Sequence, residues 1–127
     1  MTLFYLFQFF ILLQLKHLIV DFVLQTDKQA KAKGIYGNLI GISHSLEHLI
    51  GTLIVCVIMF NVVSPMATVG LALFDFITHY HIDFLKMRYG CRDFTKSAFW
   101  AQLGLDQFSH QIVYIIIVQL AFLKLYC

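Results

Sequence analysis

A chain of 127 residues that is 60% hydrophobic and 13% charged is too apolar for a water-soluble domain of its size. At roughly 20 apolar residues per helical crossing of a hydrocarbon core about 30 Å thick, it has room for about four spans in one domain, 1–127, and little else. The net charge of +2 sits in short loops without a recognition motif, which excludes a nucleic-acid partner.

The first apolar run, 3–25, lacks the basic start and small-residue cleavage site of a signal peptide, so it is expected to stay in the mature protein. It carries Lys16, His17, Asp21 and Gln25. A polar segment, 26–38, follows with Lys28, Lys31 and Lys33. The second run, 39–63, holds His44, Glu47 and His48, and ends at a tight Ser64-Pro65 connection. The third, 66–85, holds Asp75, His79, His81 and Asp83. After a basic segment, 86–98, with Lys86, Arg88, Arg92 and Lys96, the fourth run, 99–125, carries Asp106, Gln107, His110 and Gln111. The two segments 26–38 and 86–98 hold seven of the nine Lys and Arg residues, which predicts them cytoplasmic and the termini on the opposite side. Cys56, Cys91 and Cys127 are scattered singly, so neither a disulfide framework nor a thiolate zinc site is expected.

Ionisable residues within apolar spans point to function, and here they form a pattern. Each run has an i,i+4 pair: His17/Asp21, His44/His48, His79/Asp83 and Asp106/His110. Residues four apart share one helix face. His17 to His44 is 27 residues and His79 to Asp106 is 27 again, and a shift of 62 lays the first hairpin on the second. The expected fold is therefore all-α, an integral membrane four-helix bundle built from a duplicated helical hairpin, with repeats 3–63 and 66–125. All eight side chains then fall at one depth, near the cytoplasmic boundary, and meet in the core.

Three aspartates in a low-dielectric core cost about 2.5–3.5 kcal/mol each on an insertion scale, and a divalent metal can offset that. Imidazole and carboxylate suit one or two divalent ions, zinc foremost, with manganese or iron as alternatives. The expected ligands are His17, Asp21, His44, His48, His79, Asp83, Asp106 and His110. His44-Ser-Leu-Glu47-His48 matches the H-x-x-E-H pattern in which the glutamate is general base, which makes Glu47 the catalytic candidate. Asp75, one turn before His79, is placed to orient that ring from behind, and Gln25 and Gln107 are adjacent polar supports. Helical phase turns His81 away from the His79/Asp83 face.

The motifs H-L-I-V-D-F-V-L-Q-T-D-K, H-Y-H-I-D-F-L-K and D-Q-F-S-H resemble a family of small bacterial and phage membrane proteins known as domain of unknown function 3307. The resemblance covers nearly the whole chain and implies a bacterial inner-membrane location. More distantly the chain is similar to the bacterial membrane-bound metal-dependent hydrolases, which implies a metal-binding role for His17, Asp21, His44, His79, Asp83, Asp106 and His110. The expected activity is hydrolysis of a membrane lipid or lipid-linked substrate near the cytoplasmic leaflet, with a metal-activated water as nucleophile. The alternatives are a metal-ion transporter, a di-iron lipid oxidase and a metal-stabilised structural membrane protein. Transport needs polar groups on both sides of the site, and the outer stretches 3–13, 53–63 and 112–123 carry no His, Asp, Glu, Lys or Arg, with only Asp75 extending the stripe of the third run outward. Soluble di-iron bundles rely on Glu-x-x-His spacing, which is absent.

Overall fold

A computed structural model describes residues 2–123, which form helices joined by short connections, with no strand among them. Cys127 and the last two residues of the predicted fourth run lie outside the described residues. Helix α1 covers Thr2–Leu18 and continues as a π-helical segment, Ile19–Leu24; then come α2 (Asp27–Ala32), α3 (Leu39–Ile58), α4 (Pro65–Tyr89) and α5 (Ser97–Leu123). Helix α1 packs on α3 and α5, α3 packs on α4, and α4 packs on α5.

Local chemistry sets the boundaries. Asn38 caps α3 by accepting from the Ile40 amide at 2.9 Å, and Ser64 caps α4 ahead of Pro65, where the missing N–H of proline has no cost. Helix α3 stops at Ile58, short of the expected residue 63, because Met59–Val63 form the turn that reverses the chain, with Val62 and Val63 amides returning to the Met59 carbonyl at 2.8 and 3.0 Å. The segment 26–38 is not simple loop: Thr26-Asp27-Lys28-Gln29 makes a full capping box that starts α2, a pattern that satisfies two otherwise unpaired backbone donors. Gly37, with φ 76°, then turns the chain into α3, in a region that disfavours other residues. Helix α4 runs past the expected residue 85 to Tyr89, so Lys86 and Arg88 are helical. In the 90–96 connection Asp93 accepts from the Thr95 hydroxyl at 2.6 Å and the Thr95 amide at 3.0 Å. The hydroxyl contact foremost holds that carboxyl below its ordinary value.

Three helical stretches are long and apolar enough to cross a membrane: Leu3–Leu24, Leu39–Ile58 and Ser97–Leu123. Helix α4 has the length, but the expected third span carries Asp75, His79, His81 and Asp83 along it and is not among them. The distribution of polarity is inverted relative to a water-soluble protein. Phe4, Phe7, Ile11, Ile54, Val57 and Phe108 are exposed, while Lys16, His44, His48, Asp75, His79 and His110 are buried. Such continuous apolar surface requires a covering medium or partner. The interior has two layers. Phe9, Leu13, Met59, Val113, Ile117 and Phe122 belong to an apolar layer, and the ionisable residues form the other.

Candidate metal centre

The structure brings all eight predicted His and Asp residues together. Their ligand atoms form three overlapping groups, Asp21/His44/His48/His79, His17/His79/His110 and Asp83/Asp106/His110, each with all atoms within 4.8 Å of one another and every residue buried. His79 belongs to two groups and His110 to two, so the groups make one continuous centre. The π-helical segment carries Asp21, and π-bulges recur at functional sites.

Asp21 is the hub of the first half. Its Oδ1 lies 2.8 Å from His44 Nε2, 3.2 Å from His48 Nε2 and 3.5 Å from His79 Nε2. Its Oδ2 lies 3.2 Å from His17 Nε2. Asp83 serves the second half, with Oδ2 3.0 Å from His79 Nε2 and Oδ1 3.5 Å from His110 Nε2. The rings themselves stack: His48 on His79 with centroids 3.4 Å apart, and His79 on His110 at 4.3 Å.

Whether these residues fit a metal is tested by their unused polar atoms. Buried polar groups are almost always paired, yet His44 Nδ1, His79 Nδ1, Asp106 Oδ1 and His110 Nε2 are buried without a hydrogen-bond partner. Asp83 Oδ2 is also without an aligned hydrogen bond, although Lys33 Nζ forms an ion pair with it at 2.8 Å. Of these, His110 Nε2 and Asp106 Oδ1 face each other 3.7 Å apart in the group shared with Asp83, where a cation would satisfy both, so the donor set fits.

A second network lies behind this one, towards the apolar layer. Lys16 Nζ donates to Asp75 at 2.7 Å, to Tyr114 Oη at 3.1 Å and to His48 Nδ1 at 3.1 Å. Thr52 donates to the same Asp75 oxygen at 2.5 Å. An ammonium has no acceptor, so His48 Nδ1 must accept and its Nε2 carries the ring proton, aimed at Asp21. By the same logic Tyr114 accepts from Lys16 and donates to His17 Nδ1 at 2.9 Å, leaving the His17 Nε2 proton for Gln107 Oε1 at 3.0 Å. Gln107 then donates to Asp106 Oδ2 at 3.1 Å.

Several expected roles are placed differently. Asp75 was expected to orient His79; it instead receives Lys16 and Thr52, because those groups reach it first across the helix interfaces, and His79 Nδ1 has no partner. Glu47 stands behind the His44 ring, with Oε2 3.7 Å from Nδ1, and its Oε1 accepts from Gln29 at 2.7 Å. It is outside the three ligand groups, a position suited to orienting a ring rather than to activating a water on its far side. Gln25 ends the π-helical segment with a buried, unpaired Oε1 and joins none of these contacts. Gln107 is in place beside His17 and Asp106, whereas Gln111 is exposed. His81 faces outward and donates to the Ile77 carbonyl.

Lys33 and Lys86 are the residues that sequence reasoning missed. Expected only to mark loop topology, Lys33 is buried, 2.8 Å from Asp83 and 3.5 Å from Asp21. Lys86 reaches Asp106 at 3.5 Å. Thr52 and Tyr114 were findable, since each lies four residues beyond a predicted histidine, His48 and His110, and so extends its helical stripe.

The fold and centre define an all-helical protein with stretches able to cross a membrane and a buried His/Asp cluster. The chain belongs to the family described as "Protein of unknown function (DUF3307)", whose model matches residues 9–126. Neither a curated protein nor a solved structure matches it.

Proposed function

We propose that this is an integral membrane metal-dependent hydrolase of the bacterial inner membrane, acting on a lipid or lipid-linked substrate near the cytoplasmic leaflet. In this reading the four long helices form a bundle descended from a duplicated hairpin, with 26–38 and 86–98 on the cytoplasmic side and the termini on the opposite one. The carrying observation is the convergence of eight buried His and Asp residues, among which His110 Nε2 and Asp106 Oδ1 stand unpaired 3.7 Å apart.

The hydrogen-bond directions sharpen the ligand set. His17 and His48 have both ring nitrogens committed through Tyr114, Gln107, Lys16 and Asp21. His44 and His79 turn Nε2 to Asp21 and Asp83 and keep Nδ1 free of a hydrogen bond, and His110 has an unpaired Nε2. We assign the direct ligands as these three with Asp21, Asp83 and Asp106, enough for one or two ions, zinc foremost. His17 and His48 then hold the carboxylates in place, and Glu47 orients His44. A bound ion would supply charge neutralisation and an activated water for attack on an ester or phosphoester. The apolar layer filled by Leu13, Val113 and Ile117 offers no polar exit on the opposite side, which disfavours transport.

A second reading is a metal-free polar core, favoured by Lys33, whose ammonium already stands between Asp21 and Asp83. Elemental mass spectrometry of the detergent-purified protein separates the two. The hydrolase reading expects one or two divalent ions per chain, lost in the Asp21→Ala/Asp83→Ala double variant. A folded wild type that takes up no ion under metal-replete conditions overturns it and leaves the structural core.

A further inference from the structure

Between α4 and α5 a pocket of about 320 Å³ opens beside the centre, within the range of small-ligand sites. Its floor is Asp106, buried, with Oδ1 unpartnered. On its wall Lys86 lies 3.5 Å from Asp106 Oδ2 with its side chain 28% exposed, so its ammonium faces both the carboxylate and the open space. Gln102 also lines the pocket. Its Oε1 is taken by the Cys91 amide at 2.5 Å, and its amide nitrogen makes no hydrogen bond among the described residues. Leu85 and Leu105 supply apolar wall. Beyond Lys86 the chain carries Arg88, Arg92 and Lys96, all exposed, a concentration of positive charge that attracts anions. The groove between α1 and α3, about 380 Å³, is different in kind: its lining is almost wholly apolar and its lysine, Lys16, is turned inward to Asp75.

We propose that the α4–α5 pocket is an anion site for a phosphate group, with Lys86 as its receptor and the Gln102 amide as a second donor. A lysine supplies a point charge with three donors, which suits phosphate. In the metal-free protein Asp106 occupies that charge and repels an anion. The inference rests on the metal reading for its natural trigger: a cation among Asp83, Asp106 and His110 neutralises Asp106 and releases Lys86. The pocket thus binds phosphate beside the ion, where a phosphoester would have to lie to be hydrolysed.

The test uses the full chain, zinc-loaded and metal-free, as wild type, Lys86→Gln, Lys86→Arg and Asp106→Asn, with thermal melts to confirm folding. Inorganic phosphate binding is read by phosphorus NMR line broadening. Lipid binding is read by native mass spectrometry from phosphatidylcholine nanodiscs with and without phosphatidic acid. Zinc-loaded wild type is expected to bind at least tenfold more tightly than Lys86→Gln, with Lys86→Arg retaining binding. Asp106→Asn is expected to bind without any metal, again only when Lys86 is present. Retention of phosphatidic acid alone assigns a lipid headgroup, and binding of both probes assigns a phosphate group irrespective of its carrier. If Asp106→Asn does not bind either probe, or binds equally with Lys86→Gln added, the pocket is not an anion site. That arm needs no metal, so a wild type that takes up no zinc sinks the hydrolase reading without deciding this one.

Discussion

Replacing Lys33 with methionine separates the metal-bound and metal-free states of the centre. In the metal-free protein Lys33 compensates two buried carboxylates, at 2.8 Å from Asp83 and 3.5 Å from Asp21. Its side chain is 8% exposed and those of its partners 5–7%, so solvent cannot take over its role. Removing one partner of a buried ion pair costs about 3–5 kcal/mol, because the remaining charge is left uncompensated, while methionine of similar reach keeps the packing. At a few degrees per kcal/mol for a chain of this size, metal-free Lys33→Met is expected to melt about 10–20 °C below wild type. A divalent ion on the same carboxylates makes the ammonium redundant, so the loaded variant should melt within a few degrees of loaded wild type. Closing the cycle, the variant must bind metal more tightly than wild type by the stability it lost. At 1.4 kcal/mol per factor of ten, that is roughly a hundred- to a few thousand-fold. Thermal unfolding in detergent with and without zinc, together with chelator competition, measures both sides. Equal destabilisation in the two states, or weaker metal binding by the variant, refutes the idea that Lys33 stands where a cation belongs.

The inner network yields further expectations. Lys16→Met strands Asp75 and should destabilise by about 3–5 kcal/mol; adding Asp75→Asn removes the orphaned charge and should recover most of that loss in chemical denaturation. Failure of the second change to rescue would mean that Lys16 acts mainly through packing. Tyr114→Phe deletes the hydroxyl between Lys16 and His17; changes behind a metal's ligands cost about 10–100-fold in affinity, and chelator competition should find a loss in that range, an unchanged affinity arguing against any link from His17 to the ion. A Cβ at Gly51 would lie 2.6 Å from Lys16 Cγ and 2.8 Å from Cδ, so Gly51→Ala should displace the lysine stem and cost about 1–3 kcal/mol, visible as a lowered melting temperature.

The i,i+4 spacing of His17/Asp21, His44/His48, His79/Asp83 and Asp106/His110 was enough to locate the cluster, because a helix face is a property of local sequence and four faces at one depth have one place to meet. Lys33 was not legible for the opposite reason. Its approach to Asp83 depends on α2 folding back beneath the helices, which follows from the Thr26 capping box, the positive φ of Gly37 and the packing of α2 on α3. The capping box was present as Thr26-Asp27-Lys28-Gln29, but the return path is tertiary. Asp75 was misplaced because helical phase gives the direction of a Cβ and not the competition among long side chains: Lys16, on another helix, reaches the carboxylate that spacing alone offered to His79. The π-helical register of Ile19–Leu24 has no residue signature in this segment.

The lysines also explain how such a cluster can exist without an ion. Four buried aspartates, Asp21, Asp75, Asp83 and Asp106, face three ammonium groups, on Lys16, Lys33 and Lys86, so with neutral imidazoles the centre carries one net negative charge instead of four. The compensation is uneven. Lys16 lies between Asp75, Tyr114 and His48, deep against the apolar layer, where an ion has no reason to displace it. Lys33 and Lys86 reach in from the short helix α2 and the last turn of α4, and long side chains so placed can withdraw to the surface. A cation bound here would meet two ammonium groups able to withdraw, on Lys33 and Lys86, and one held in place, on Lys16. Lys33 stands between Asp21 and Asp83 and Lys86 beside Asp106 at the polar pocket, while Lys16 lies on the side of the apolar layer with Phe9, Leu13 and Ile117. In the proposed reading, access and charge exchange would be confined to the polar-pocket end of the helices, as a headgroup entering from one leaflet requires.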